Sequence, residues 1–187
     1  AGRRSGMGAP VGSVVAMKFT SQQAAVLNDI LRWRRDVRHF RKDPVPEADL
    51  TALQDAMSFT PSVGNARPWR VLRVRDEGKR AAVRAIFMRC NADAARVYDD
   101  ERAALYRNLK LAGLDDAPEQ LAVFTHRDPE AGHGLGRATM AQTLRQSTAM
   151  AIHTLWLAAR ARNLGLGMVS IIGPCAMEAL LAPGPEW

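Results

Sequence analysis

From Arg32 onward the chain reads Arg-Trp-Arg-Arg-Asp-Val-Arg-His-Phe-Arg-Lys, six basic side chains around a single carboxylate, Asp36, within eleven positions. A guanidinium presents a planar fork of N–H donors that matches the paired oxygens of a phosphate, so such a segment can hold a compact anion. A basic solvated surface is the other reading of the same residues. The segment Pro61-Ser62-Val63-Gly64-Asn65-Ala66-Arg67-Pro68-Trp69 favours the anion. Its hydroxyl, amide and accessible backbone suit hydrogen bonding to a polyhydroxyl chain, although Ser, Gly and Asn are also ordinary turn residues. Together the two segments point to a phosphate with a sugar-like chain attached. A third feature is Ser170, in the otherwise apolar run Met168-Val169-Ser170-Ile171-Ile172. A hydroxyl there either bonds to local backbone or is aimed at a ligand.

Capping residues and periodicity predict the elements that must carry these groups. Thr20 or Ser21 can cap a helix running to about residue 34, with Ala24, Val26, Leu27, Ile30 and Leu31 as an apolar stripe. If that helix persists through the arginines, Arg34 and Arg38 share a face at i, i+4, with Arg35 beside Arg38 at i, i+3. Pro44 and Pro46 break the chain, and Pro46 opens a second helix with Leu50, Leu53, Met57 and Phe59 that ends at Pro61. Residues 69–74 alternate as a strand, 78–110 are Ala/Arg-rich and helical in one or two pieces, and 120–125 form a second strand. Residues 126–137 are a glycine-rich loop, and Thr139 opens a central helix that Gly165 and Gly167 terminate. Residues 166–172 read as a third strand, and Pro174 starts a terminal helix. Long helices among few strands, without repeated strand-helix units, predict an α+β fold rather than a doubly wound sheet. Gly165-Leu166-Gly167 follows a helix and enters a strand, the reverse of a dinucleotide-binding turn, so a Rossmann nicotinamide site is rejected.

Composition narrows the function classes. A length of 187 residues suits one core, with residues 1–19 expected as a flexible, Gly-containing arm and 20–187 as a single domain. Hydrophobic content of 47% with 24% charged residues is ordinary for a globular protein, and no apolar run is long enough to cross a membrane. The most apolar stretch, 149–161, reads as a buried core helix with His153 hydrogen-bonded inside it. No secretory leader is evident, and the cytoplasm is the expected compartment. The net charge of +7 admits a polyanion, yet outside 32–42 the basic residues are scattered among acids and aromatics make up only 6%, so no nucleic-acid partner is expected. Cys90 and Cys175 make no ligand spacing and read as buried free thiols. His126 and His133 lack a third ligand in register, so no metal is expected.

Five segments carry a family resemblance: Arg34-Arg35-Asp36-Val37-Arg38-His39-Phe40, Pro61-Ser62-Val63-Gly64-Asn65, Lys110-Leu111-Ala112-Gly113-Leu114, Gly132-His133-Gly134-Leu135-Gly136-Arg137, and Thr154-Leu155-Trp156-Leu157-Ala158-Ala159-Arg160. The first two resemble the nitroreductase-like FMN flavoproteins at large. The Lys-Leu-x-Gly-Leu and Gly-His-Gly-Leu-Gly-Arg segments are similar to one branch, the flavin-fragmenting 5,6-dimethylbenzimidazole synthases, and the match covers residues 31–183. The resemblance implies an interlocked α+β homodimer, its central mixed or antiparallel sheet packed by long helices, with FMN at the subunit interface. It implies that reduced FMN is consumed with molecular oxygen as co-substrate. The products would be 5,6-dimethylbenzimidazole, the lower ligand of vitamin B12, and erythrose 4-phosphate, with a separate flavin reductase supplying the reduced FMN.

The same resemblance distributes roles. Arg34, Arg35 and Arg38 would bind the phosphate and ribityl chain. Asp36 would orient or deprotonate that chain, and Ser170 would face the reacting ring; these two are the catalytic candidates. Val37, Ser62, Asn65 and Gly167 would complete the cofactor contacts, with Leu111 covering the flavin from a lid. A structural salt bridge for Asp36, and simple helix termination for Gly165 and Gly167, stay open. So do two other functions. One is a conventional FMN-dependent nitroreductase-like oxidoreductase that recycles its flavin to reduce a quinone, nitroaromatic or corrinoid. The other is a flavin-binding or polyanion-binding module without catalysis.

Overall fold

Thr20 begins the first helix because its hydroxyl accepts the Gln23 N–H at 3.2 Å while the Gln23 side chain accepts the Thr20 N–H at 2.8 Å. In the computed structural model, which describes residues 17–96 and 112–187, this helix, α1, spans Ser21–Trp33. Helix α2, Glu47–Ser58, follows Pro46 and carries Glu47 and Asp49 in its first turn, where negative charge complements the helix dipole. A 3-10 turn at Val63–Asn65 leads into strand β1, Trp69–Arg73. Asp76 caps α3, Glu77–Ala95, by accepting the Lys79 N–H at 2.8 Å. Then come α4, Ala112–Asp116; β2, Leu121–Thr125; α5, Thr143–Ala161; and α6, Pro174–Leu181.

The two strands pair antiparallel with Val71 opposite Val123, and their side chains alternate between two cores. On one face Trp69, Val71 and Leu121 pack against Leu53 and Met57 of α2 and Ala151, Leu155 and Ala159 of α5. On the other, Leu72, Ala122 and Phe124 pack against Val83 of α3 and Leu181 of α6. The result is a small antiparallel sheet between helical layers, an α+β arrangement as expected. Arg73 ties the layers at one end, donating to Glu119 at 2.6 and 3.0 Å and to Glu47 at 2.9 Å. The Arg73 hydrogen bond is the main reason the Glu47 carboxyl sits below its ordinary value, and Glu119 first, then Glu47, raise the Arg73 guanidinium in return. No helix among the described residues is long and apolar enough to cross a membrane.

Several sequence expectations are corrected. Residues 166–172 do not form a third strand: a single bridge joins Leu166 to Asp36, and the backbone pairing stops there. The physical reason is a side chain, since the next N–H, that of Met168, donates to Asp36 Oδ1 at 3.0 Å rather than to a strand carbonyl. The central helix is buried on one face only. Ala151 and Leu155 are 0% and 4% exposed, while Met150 is 42% exposed and His153 is also exposed, so His153 is not a core residue. The apolar stripe of α1 contributes no buried residue. Cys90 is half-buried and Cys175 exposed, rather than both buried. The expected arm at 1–19 lies mostly outside the described residues, as does the C-terminal part of the helix expected at 78–110.

Candidate functional site

The arginine segment leaves the helix earlier than periodicity suggested. The Arg34 N–H still donates to the Ile30 carbonyl at 3.0 Å, but Arg34 itself turns extended, with φ −60° and ψ 133°. The i, i+4 pairing of Arg34 with Arg38 on one helix face is therefore lost. The chain is pulled straight by its parallel contact with residues 165–168, where the Val37 N–H donates to the Leu166 carbonyl at 3.1 Å. Gly167 permits that approach. A Cβ there would lie 2.1 Å from the Val37 carbonyl oxygen, which no side chain can survive without moving the backbone.

Asp36 is gripped at both oxygens: Oδ1 by the Met168 N–H and Oδ2 by the Arg38 guanidinium. The three guanidinium groups each have a different partner. Arg38 pairs with Asp36, Arg34 lies 4.9 Å over the Trp156 ring, and Arg35 donates to the Arg34 carbonyl at 2.9 Å while resting over Trp33. Trp156 also donates its indole N–H to the Arg35 carbonyl at 3.1 Å.

The second segment is a locked turn. Gly64 and Asn65 sit at φ +55° and +52°, which glycine adopts freely and asparagine tolerates. Ser62 Oγ accepts the Arg67 N–H at 2.9 Å. The Val63 N–H donates at 3.0 Å to Ser147 Oγ, which is buried on α5 and itself donates to the Thr143 carbonyl at 2.7 Å. The glycine-rich loop at 132–137 packs directly onto this turn. A Cβ on Gly132, at φ +81°, would stand 2.7 Å from the Gly64 carbonyl oxygen. Arg137 then fastens the loop by pairing with Asp128 and donating to the Pro129 carbonyl at 2.6 Å.

A cleft of about 1900 Å³ opens between β2 and residues 163–172. It brings together Val37, Arg38, Gly167 and Ser170, and Ser170 is exposed within it. Asp36 sits at its border through the Met168 contact. Arg34, Arg35, Ser62 and Asn65 do not line this cleft within one chain. Leu111 lies outside the described residues. Sequence reasoning missed Trp156 and Ser147, which hold the two segments from α5. Trp156 stood within a resemblance segment, 154–160, without a role of its own, and Ser147 was not singled out. The physical signal for both is that a buried hydroxyl and a half-buried indole need partners.

Fold and site together define a nitroreductase-like flavoprotein architecture, and the chain belongs to the nitroreductase family, whose model matches residues 31–182. More particularly, it is 60% identical over 171 residues to a 5,6-dimethylbenzimidazole synthase of Rhodobacter capsulatus, covering 91% of this chain and 83% of that one. It is 51% identical to a protein of the same name from Rhodospirillum rubrum, over 86% of this chain and 76% of the relative. Among solved structures, oxidized iodotyrosine deiodinase bound to FMN and 3-iodo-L-tyrosine superposes with a TM-score of 0.71 at 24% identity, covering 86% of this chain and 83% of that one. A BluB-like flavoprotein from Clostridium difficile 630 gives 0.64 at 20% identity, over 86% and 82%. At these identities the two structures speak for the fold alone.

Proposed function

We propose that this chain synthesises 5,6-dimethylbenzimidazole by oxygen-dependent fragmentation of reduced FMN, releasing erythrose 4-phosphate. The observation that carries the reading is the 60% identity, over 91% of the chain, to a 5,6-dimethylbenzimidazole synthase. The residues present fit the flavin. Arg38 and Ser170 line a cleft whose wall is largely apolar, with Arg127, Arg145 and Thr125 among its other polar side chains, while Arg34 and Arg35, outside the cleft within one chain, supply further cationic forks for a phosphate. Reduced FMN, delivered by a separate flavin reductase, supplies the electrons and the carbon skeleton of the product, which serves as the lower ligand of vitamin B12.

The roles of this chain's side chains derive from their present contacts. Arg38 neutralises Asp36 Oδ2; a phosphate that draws the guanidinium away leaves that oxygen able to accept a ribityl hydroxyl proton. The Met168 N–H holds the other oxygen, so the carboxylate stays aimed while its partner changes. Ser170 offers a hydroxyl to the reacting ring. The contacts of Val37, Ser62, Asn65 and Gly167 complete the proposed pocket.

The working unit is proposed to be a homodimer. A cleft of about 1900 Å³ exceeds the roughly 300–1,000 Å³ of an ordinary ligand pocket, as a second chain closing it would explain. On α1, Val26, Leu27 and Trp33 are 53%, 51% and 58% exposed, an apolar surface suited to burial against a second copy. Such a partner would also bring Ser62 and Asn65 to a flavin that they do not reach within one chain. The deciding experiment is incubation with reduced FMN in air, followed by product analysis. Dimethylbenzimidazole is expected; return of the intact flavin spectrum, with none formed, would instead mark a conventional oxidoreductase that recycles its flavin.

A further inference from the structure

The flavin reading absorbs residues 34–38 but not the residue that holds them. Trp156 stands on α5 beside Leu155 and three positions before Ala159, which are 4% and 2% exposed, so core packing fixes the helix that carries the indole. From there Trp156 makes two contacts of different chemistry with residues 121 and 122 positions earlier in the chain. Its N–H donates to the Arg35 carbonyl at 3.1 Å, and its face lies 4.9 Å from the Arg34 guanidinium. The Arg35 carbonyl and the Asp36 N–H belong to one rigid peptide unit, so the indole hydrogen bond sets the plane on which the chain enters Asp36. One residue further, Asp36 is fixed again by Leu166 and Met168. The Asp36 carboxylate is thus aimed from one side by residues 166–168 and from the other by Trp156.

We infer that Trp156 is a positioning residue for the proposed reaction: its indole N–H aims Asp36 through the Arg35 carbonyl, and its ring holds Arg34 ready for the phosphate. This inference rests on the flavin-fragmentation reading. It separates two jobs within one side chain, and substitutions can separate them too. Trp156→Phe keeps a ring for Arg34 and removes the donor, whereas Trp156→Leu removes both.

The measurements are the FMN dissociation constant, from quenching of flavin fluorescence, and the fraction of reduced FMN recovered as dimethylbenzimidazole rather than reoxidised. Trp156→Phe is expected to bind FMN within about twofold of the parent while its product fraction falls about fivefold, the scale of one hydrogen bond. Trp156→Leu is expected to lose the same product fraction and to weaken FMN binding about fivefold more, the scale of a cation–π contact. Parent-like product fraction in Trp156→Phe overturns the inference. Equal losses of affinity and product in that variant overturn it as well, because that pattern marks general loosening of α5. If the parent itself makes no dimethylbenzimidazole, the synthesis reading fails separately. The inference is then judged by affinity, and Trp156→Leu binding FMN like Trp156→Phe refutes it.

Discussion

The turn at residues 61–65 is held by a buried hydroxyl on α5 and by backbone contact with a second loop, whereas residues 34–38 are pinned along their backbone and carry side chains on exchangeable partners. In the turn, polar groups brace the backbone: Ser62 Oγ accepts the Arg67 N–H, and the Val63 N–H is taken by Ser147. In the arginine segment Arg35 rests on a neighbouring carbonyl and Arg38 on a carboxylate, partners that an anion can replace, while Arg34 lies over the Trp156 ring. The contrast teaches that rigidity and reactivity are divided between the two segments. One sets the shape of the site, and the other responds to what enters it.

That division predicts different symptoms for different substitutions. The largest effect is expected for Asp36→Asn, which should lower dimethylbenzimidazole formation by about 100-fold or more while leaving thermal unfolding and FMN binding near those of the parent. Undiminished product would place Asp36 on the structural side of the comparison. Next comes Gly132→Ala, which combines a φ of +81° with a Cβ 2.7 Å from the Gly64 carbonyl oxygen and should cost about 2–4 kcal/mol in denaturant unfolding. A parent-like midpoint would show that the two loops yield readily. Ser147→Ala leaves the Val63 N–H without its acceptor and should cost about 1–3 kcal/mol, with product per folded molecule little changed.

The smallest effect is expected far from both segments, at Glu47. Its folded-state carboxyl sits below the ordinary value of 4.5, so its contribution to stability is present above that value and fades as pH falls through the folded one. Glu47→Gln should therefore melt slightly below the parent at neutral pH and alongside it in strong acid. A melting difference that persists in acid would mean that Glu47 acts through something other than its charge.

Much of this architecture was legible because local chemistry and tertiary packing agree. The Thr20 cap, Pro46 before α2, the alternation of β1 and β2, and Pro174 at the start of α6 each announce an element that the fold contains. The failures lie where a distant residue overrides local pattern. Residues 166–172 look like a strand, but the Asp36 carboxylate, 132 positions before Met168, takes the N–H that a ladder would need. Arg34 looks like a continuing helix until the contact with Leu166 straightens the backbone around Asp36. His153 lies within an apolar stretch, yet it faces outward because only the opposite side of α5 meets α2 and the sheet. In the site, the basic cluster and the Gly-Asn turn were readable as residue types, while Trp156 and Ser147 were not. Their importance depends on which backbone atoms they meet, and spacing carries no record of that.

The meeting of Gly64 with Gly132 has a practical consequence for engineering. Where Gly64 meets Gly132 the loops touch main chain to main chain, so at that point there is no side chain that could be trimmed to accommodate a bulkier neighbour. A chimaera that imports either loop alone from a relative would inherit half of a joint. Transplanting them as a matched set, with the serine of α5 that braces the first, is the smallest exchange that keeps the joint whole.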